Sequence, residues 1–513
     1  MKKILLIFTL LSPTLSYSQG IDDKINDWFK PIADAWVNIV LYPINFSDEI
    51  SIPIVLILLV FGAIFFTLRF SFVNITHFST AIKTVMGDYD NIENKKYETD
   101  KTKLMSEEGE VSHFQALATA VSGTVGLGNI AGVALAIAIG GPGATFWMIV
   151  CGLIGMSTKF VECTLGVKYR DVGSDGTVYG GPMYYLSKGL KEGGYEKLGK
   201  GLAVIFAFLC VGASFGGGNA AQSNQAALQI ASILGIDGGS AGTSIGFILA
   251  IIVGIVIIGG IKRIASVTEK IVPFMAVIYV LACLFIIFSN FSYIDNAFSL
   301  IFKGAFSLQA GFGGLLGVLI VGFQRAAFSN EAGAGSAAIA HSAVKTKYPA
   351  SEGVVALLEP FIDTVVICTM TALVIIMYNS SGTFEYGQDI IINGEKIEGA
   401  VLTSMAFAEA IPWFPFVLTI AIILFAISTM ISWSYYGLQA WMFLFGKSKI
   451  SDLIYKIIFL LFIVIGAAAN MDAVWGFSDA MILALIFPNM IGLFFLYPKV
   501  KQELNNYIKA IRK

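Results

Sequence analysis

Charge is what this sequence has least of. Only 13% of its 513 residues are Asp, Glu, Lys or Arg, against 56% hydrophobic, and the formal net charge is −2. That is too little polar surface to clothe a water-soluble globule, and the mean hydropathy of +0.77 belongs in lipid. A basic footprint for nucleic acid is absent. Histidine occurs three times, at His77, His113 and His341, with no HExxH pair, which removes the usual constellation of a metallohydrolase. The five cysteines (Cys151, Cys163, Cys210, Cys283, Cys368) sit in apolar runs without a CxxC pair or a histidine at ligand spacing, so they read as small core residues. Phenylalanine, at 40 copies, is abundant, as suits side chains that face acyl tails and the two membrane interfaces.

Residues 1–20 carry two lysines, an apolar run and then small polar residues, the pattern of a secretory signal peptide. Residues 21–45 follow as a periplasmic interfacial helix, with Trp28, Phe29, Ile32, Trp36 and Ile39 on one face. Runs long enough to cross ~30 Å of hydrocarbon then begin near residues 52, 113, 143, 201, 243, 264, 297, 352, 414, 450 and 474, which predicts an all-α integral membrane protein with about eleven spans. Several of these runs are long enough to be tilted, broken or flanked by surface helix.

Lysine and arginine orient the spans, because cytoplasmic loops carry the positive excess. Alternate connections hold Lys83, Lys95, Lys96, Lys101 and Lys103, then Lys168, Arg170, Lys188 and Lys191, then Lys262 and Arg263, then Lys345 and Lys347, then Lys447 and Lys449. The intervening loop 379–412 holds Glu385, Asp389, Glu395 and Glu398 against Lys396. An odd number of spans that starts outside ends inside, and the tail 498–513, with Lys499, Lys501, Lys509, Arg512 and Lys513, agrees. The reading is a bacterial-type inner membrane protein with a cytoplasmic C-terminus.

With the span in residues 46–112 set aside as peripheral, ten remain, five in 113–289 and five in 290–497. Two fives of opposite orientation are the arithmetic of an inverted repeat, whose site lies at mid-membrane between discontinuous helices that open each half. The first opening helix crowds Gly123, Gly126, Gly128 and Gly132 around Ser122, Thr124 and Asn129. Unwinding there would offer the amides of Gly126, Gly128 and Asn129 to a carboxylate and the carbonyls from Ser122 to Val125 to a cation. Close helix packing is the other use of such glycines. The second opening helix carries SLQAGFGGLLG, so its break is expected at Gln309, Gly311, Phe312, Gly313 and Gly314.

Further polar insertions lie in apolar surroundings. Gln222 and Asn224 either reach a substrate or bond between helices. Ser428, Thr429 and Ser432 either ligate a bare cation or bond back to the preceding turn. Trp433 either walls a small pocket or packs. Asp363 is an intramembrane carboxylate and hence a coupling candidate, or a structural ion-pair partner, while Glu162 reads as an interfacial anchor.

Four motifs, GTVGLGNIAGVALAIAIGGPGATFWM (123–148), DGTVYGGPMYYL (175–186), RAAFSNEAGAGSAAIAH (325–341) and FIDTVVICTMTALV (361–374), resemble the alanine or glycine:cation symporter family. The resemblance implies a LeuT-type 5+5 inverted-repeat core plus one peripheral helix, and uptake of a small neutral amino acid, alanine or glycine, coupled to Na⁺ or less often H⁺. It places substrate contacts at Asn129 and Gln222, and Na⁺ contacts at the broken first helix (Ser122, Val125) with Ser428 and Thr429. Arg325, Asn330 and Glu331 fall in a motif that implies a gate. Two positions depart from the family pattern: Ile149 stands where Trp is usual, and Leu127 where Thr is frequent, which removes a hydroxyl near the pocket. An intramembrane enzyme and a channel are the competing classes; the histidine count speaks against the first and two mid-membrane breaks against the second.

The topology makes a first prediction. A reporter that works only in the cytoplasm should be active when fused after Lys513; activity there of a reporter that works only in the periplasm overturns the orientation.

Overall fold

The computed structural model describes residues 21–47, 50–93, 109–174, 176–236, 240–307, 311–392, 394–397, 399–411 and 413–512. The expected signal peptide and the lysines at 95–103 lie outside them. The described chain is helical almost throughout, with three two-stranded hairpins in connections.

The elements that matter are α1 (Ile21–Val40), α2 (Ile54–Arg69), the bent pair α3 (His113–Thr124) and α4 (Ala131–Gly140), and α5 (Gly143–Lys168). Next come α6 (Glu196–Phe215) and α7 (Ala221–Leu234), joined by a π-turn, then α8 (Ala241–Ile257) and α9 (Gly260–Ser289). The second half opens with α10 (Ile294–Ala305), α11 (Gly311–Asn330) and the short α12 (Ala337–His341), and continues through α13 (Pro349–Val355) and a π-helical stretch, Phe361–Cys368, into α14 (Thr369–Tyr378). It closes with α15 (Ala400–Ala410), α16 (Phe414–Phe445), α17 (Lys449–Ala468) and α18 (Met471–Ile511).

Among the described residues, seven helices are long and apolar enough to cross a membrane, and the pair α3–α4, bent by 56°, makes an eighth. α2 and α8 are apolar but shorter. The outside of the bundle is greasy: Phe274, Val277, Leu281, Phe285 and Phe288 recur at helical spacing along the exposed face of α9, and Ile450, Leu453, Ile454, Ile457 and Leu461 along α17. Polar side chains are inside, among them Asn129, Lys159, Glu162, Asn219, Glu352, Glu359 and Asp363. This inversion of the soluble pattern shows a multi-pass membrane protein.

The structure corrects some of these expectations and refines others. The long run from 297 divides into α10 and α11, and α11 then continues unbroken to Asn330. Gly311–Gly314 are its first turn, where glycine costs little, rather than a mid-helix break. The outer loop 379–412 contains an apolar helix, α15, whose Thr403 hydroxyl donates to the Ile130 carbonyl at 3.2 Å. Glu162 is wholly buried and accepts from Asn489 at 2.7 Å, so it is no interfacial anchor. On α1, Trp28, Ile32 and Ile39 face outward, whereas Phe29 turns in against Phe477 with ring centroids 5.2 Å apart.

With no aqueous solvent to drive apolar surfaces together, helices in lipid gain from close approach. Gly466 of α17 is an example: a Cβ there would come within 2.6 Å of the Ala220 carbonyl oxygen. Gly466→Val should therefore overpack α17 against the π-turn, cost ~1–3 kcal/mol and lower the midpoint of thermal unfolding in detergent. Gly317→Ala, with nothing near its added methyl, leaves the midpoint unchanged or slightly raised.

Candidate functional site

The first helix breaks where its glycines are densest. α3 ends at Thr124, Val125 and Gly126 are extended, a single 3₁₀ turn covers Leu127–Asn129, and α4 resumes at Ala131. Inside a bundle the freed amides need partners. Asn129 Oδ1 accepts from the Gly126 amide at 2.9 Å, and Gln222 Oε1 accepts from the Leu127 amide at 3.0 Å. Gln222 is held in turn by donating to the Gly217 carbonyl at 2.9 Å. Gly126 has no room for a side chain, since a Cβ would lie 2.5 Å from Thr429 Oγ1 and 3.0 Å from Gln222 Oε1. Gly128 is looser, its nearest neighbour being Phe328 at 3.3 Å.

The second break lies at residues 331–336, between α11 and α12. Glu331 has φ +54°, Gly333 +96° and Gly335 +81°, a run of left-handed backbone that no helix can continue through. A local signal is present in Asn-Glu-Ala-Gly-Ala-Gly-Ser, but the glycines at 311–314 are denser. The Glu331 carboxylate points into the bundle and accepts from Trp433 Nε1 at 3.0 Å and from the Ser336 hydroxyl. Gly311 lies seventeen residues before Phe328, about 25 Å along the helix at 1.5 Å per residue. Gly311 and Phe312 therefore stand at the far end of α11, and their side chains, with Gln309, fall outside the described residues.

Between the two breaks sits a small cavity of about 10 Å³, lined by Gly123, Thr124, Gly128, Gly217, Gln222, Phe328, Glu331 and Ile482. Beside it the oxygens of α3 and α16 interlock. Thr429 Oγ1 donates to the Ser122 carbonyl at 2.9 Å, Ser122 Oγ to the Ser428 carbonyl at 2.8 Å, and Ser428 Oγ to the Phe425 carbonyl at 3.0 Å. Val125, the next break residue, is fully buried. On the other flank Asp363 gathers donors: Asn129 Nδ2 at 2.6 Å, Ser329 Oγ at 2.8 Å and Thr364 Oγ1 at 2.7 Å. Asn330 fixes the same corner by donating to Thr364 Oγ1 at 2.9 Å. Arg325 lies further along α11, paired with Asp479 and stacked over Trp475 at 5.8 Å. Asn224 is directed elsewhere, to the carbonyls of Gly466 and Ala469.

This geometry, two breaks around a small polar cavity, coincides with a sequence match: the sodium:alanine symporter family model covers residues 38–513. The chain belongs to that family. The sodium/alanine symporter AgcS of Methanococcus maripaludis is 42% identical over 90% of this chain and 95% of its own. The "Probable sodium/glutamine symporter GlnT" of Bacillus subtilis is 33% identical over 90% of this chain and 89% of its own. A crystal structure of MhsT with L-phenylalanine matches 77% of this chain and 99% of its own at 16% identity and a TM-score of 0.47, too distant to bear on the site. A member of the sodium:alanine symporters is a cation-coupled amino-acid transporter and not an enzyme.

For this symporter the structure brings together Ser122, Val125, Gly126, Gly128, Asn129, Gln222, Ser428, Thr429, Trp433, Asn330, Glu331 and Asp363, and leaves Gly311 and Phe312 apart. Phe328 and Ile482 line the cavity without having been singled out from the sequence. Phe328 and Ile482 carry no sequence signal, since an apolar residue in an apolar helix is indistinguishable from core. Gly126→Ala is expected to abolish uptake at normal membrane expression, because the methyl displaces Thr429 and Gln222 together. Gly128→Ala, against a single phenylalanine edge, should keep a measurable fraction; equal loss in both would show that space at Gly126 is not the constraint.

Proposed function

We propose that this symporter takes up a small neutral amino acid, alanine or glycine, with Na⁺ by alternating access around the two breaks, in an eleven-span, 5+5 inverted-repeat arrangement in the inner membrane. The observation that carries the reading is the pair of broken helices that meet across a small polar cavity; at about 10 Å³ it has room for one water in this arrangement and widens to admit even a small amino acid. A zwitterion fits its polarity. The N-terminal end of the resumed first helix, at Gly128 and Asn129, presents the positive end of the helix dipole to a carboxylate. The Glu331 carboxylate, held by Trp433 and Ser336, faces the ammonium. Phe328 and Ile482 leave little beyond a methyl group for the side chain.

The donor set beside the cavity suits a hard cation. The Ser428 and Thr429 hydroxyls already meet carbonyls of Phe425 and Ser122, and with a carbonyl of the broken segment such as that of Val125 they would supply an all-oxygen shell of neutral groups. When bound, Na⁺ supplies a charge near the substrate carboxylate and a bond between α3 and α16. Each of these ligands belongs to the same broken helix or the helix packed on it, so cation and substrate favour each other reciprocally.

A second reading is proton coupling through Asp363, favoured by its complete burial among neutral donors with no basic partner among the described residues. Proteoliposome uptake of labelled alanine decides between them. Thr429→Val, which deletes one ligand and keeps the shape, should raise the half-saturating Na⁺ concentration about tenfold or more, from the ~1.5–3 kcal/mol of a contact to a charge. Alanine affinity at saturating Na⁺ should barely change. Unaltered Na⁺ dependence in Thr429→Val and Ser428→Ala, with uptake driven by a proton gradient and lost in Asp363→Asn, would establish the second reading instead.

A further inference from the structure

Below the cavity, six helical elements contribute to one buried row of acids and bases that the coupling scheme does not use. Glu93 accepts from His113 Nε2 at 2.8 Å, and His113 Nδ1 contacts Glu352. The other oxygen of Glu352 meets His341 Nδ1 at 2.5 Å. His341 Nε2 faces Glu359 Oε2 at 3.6 Å, neither atom having a hydrogen bond, and Glu359 Oε1 accepts from Lys159 Nζ at 3.0 Å. Acid and base alternate throughout. All six side chains are buried.

The row ties together the inner halves of both broken helices. His113 is the first residue of α3 and His341 the last of α12, and Glu352 on α13 bridges them. The backbone repeats the link: the Glu110 amide donates to the Ala343 carbonyl at 2.7 Å and the Lys345 amide to the Val111 carbonyl at 2.8 Å. In alternating access, opening this end of the cavity requires α3 and α12 to separate.

Proton counting gives the row a ligand. A neutral imidazole has one donor and one acceptor nitrogen. His113 presents a carboxylate oxygen to each nitrogen, so both contacts are satisfied only when the Glu93–His113–Glu352 unit holds one proton beyond a neutral ring and two carboxylates. The whole row, three carboxylates with His113, His341 and Lys159, is electrically neutral only with two such protons, and a buried net charge of −2 is costly. The other ionisable groups that face it include Glu162, Cys163 and Arg170 from α5 and its end, Glu331 in the second break, Asp363 in the π-helical stretch, Tyr436 on α16 and Tyr507 on α18. Arg170 donates to the carbonyls of Ser342 at 2.8 Å and Thr346 at 3.2 Å, whereas Glu162 and Glu331 only add to the demand for protons.

We propose that the row from Glu93 to Lys159 is a proton-binding site that locks the inner halves of the two broken helices together, its protons leaving when that face opens. The inference rests on the transporter reading above. The sign follows from linkage: the closed state binds more protons, so acid on that face favours closure and alkali favours opening. Water reaching the row removes the burial and the close carboxylate pairing that hold the extra protons there.

The test is alanine exchange in proteoliposomes with saturating Na⁺ on both sides and pH varied on one face at a time. Lowering pH from about 8 to about 6 on the face that carries the C-terminal tail should slow exchange severalfold. His113→Gln and His341→Gln should flatten that dependence while leaving the half-saturating Na⁺ concentration in place. Should those variants not fold, the otherwise native chain with Ser342→Cys is labelled by an impermeant maleimide, relative to an exposed Lys449→Cys control at the same pH. Relative labelling should rise with pH. Exchange and labelling that ignore pH on both faces, or a dependence retained in both histidine variants, would overturn the proposal. Absence of alanine exchange at every pH, with labelling still pH-dependent, would instead refute the substrate assignment and leave the lock standing.

Discussion

A helix broken within hydrocarbon must find partners for the amides and carbonyls it frees, because no water is there to take them and each orphan costs several kcal/mol. The interior of this protein is organised around that requirement. The break after Thr124 is tolerated because Asn129 accepts from the Gly126 amide and Gln222 from the Leu127 amide, and because Thr429 donates to the Ser122 carbonyl. Gln222 is in reach only because a π-turn at Gly216–Ala220 rotates α7 relative to α6 and offers the Gly217 carbonyl to its amide. The second break depends likewise on Trp433 and Ser336 holding Glu331.

The same partners would serve ligands. Hydroxyls that donate to carbonyls in one arrangement can turn their lone pairs to a cation in another, and a carboxylate satisfied by an indole can accept an ammonium. A site assembled from groups that already bond one another loses little when empty, which allows a transporter to pass through ligand-free states without collapse. Close packing keeps the breaks in register. Gly126 lets Thr429 and Gln222 approach, and Gly466 lets α17 reach the Ala220 backbone.

Charge is handled on a different principle on the α13 side of the cavity. Around the cavity the ionisable groups, Glu331 and Asp363, are held by neutral donors. Beneath it, acids and bases alternate from Glu93 to Lys159, so that each charge is screened by its neighbour. Removing one partner there would leave a buried charge uncompensated, which is more damaging than removing a surface pair. That row also reaches the ends of α3 and α12, so the electrostatics of the interior and the geometry of opening are joined.

Several properties were determined by the sequence alone. The scarcity of charge, the long apolar runs and the four motifs read directly as a multi-pass transporter of this family, because hydropathy and local motifs need no long-range information. The break at Gly126–Asn129, and Ser428 and Thr429 beside it, were legible for the same reason: a cluster of small and polar residues stands out against an apolar run and weakens the helix at that point. Only the tertiary structure decided where the second break falls. Glycines at a helix start and glycines at a left-handed turn look alike in one dimension, and it took the φ angles of Glu331, Gly333 and Gly335 to tell 331–336 from 311–314. The fates of Glu162, Phe328 and the two histidines were likewise beyond sequence reading, since their partners Asn489, Trp475 and Glu352 come from distant helices. A pattern of residues sets what an isolated helix will tolerate, but which groups it meets across the bundle is a property of packing.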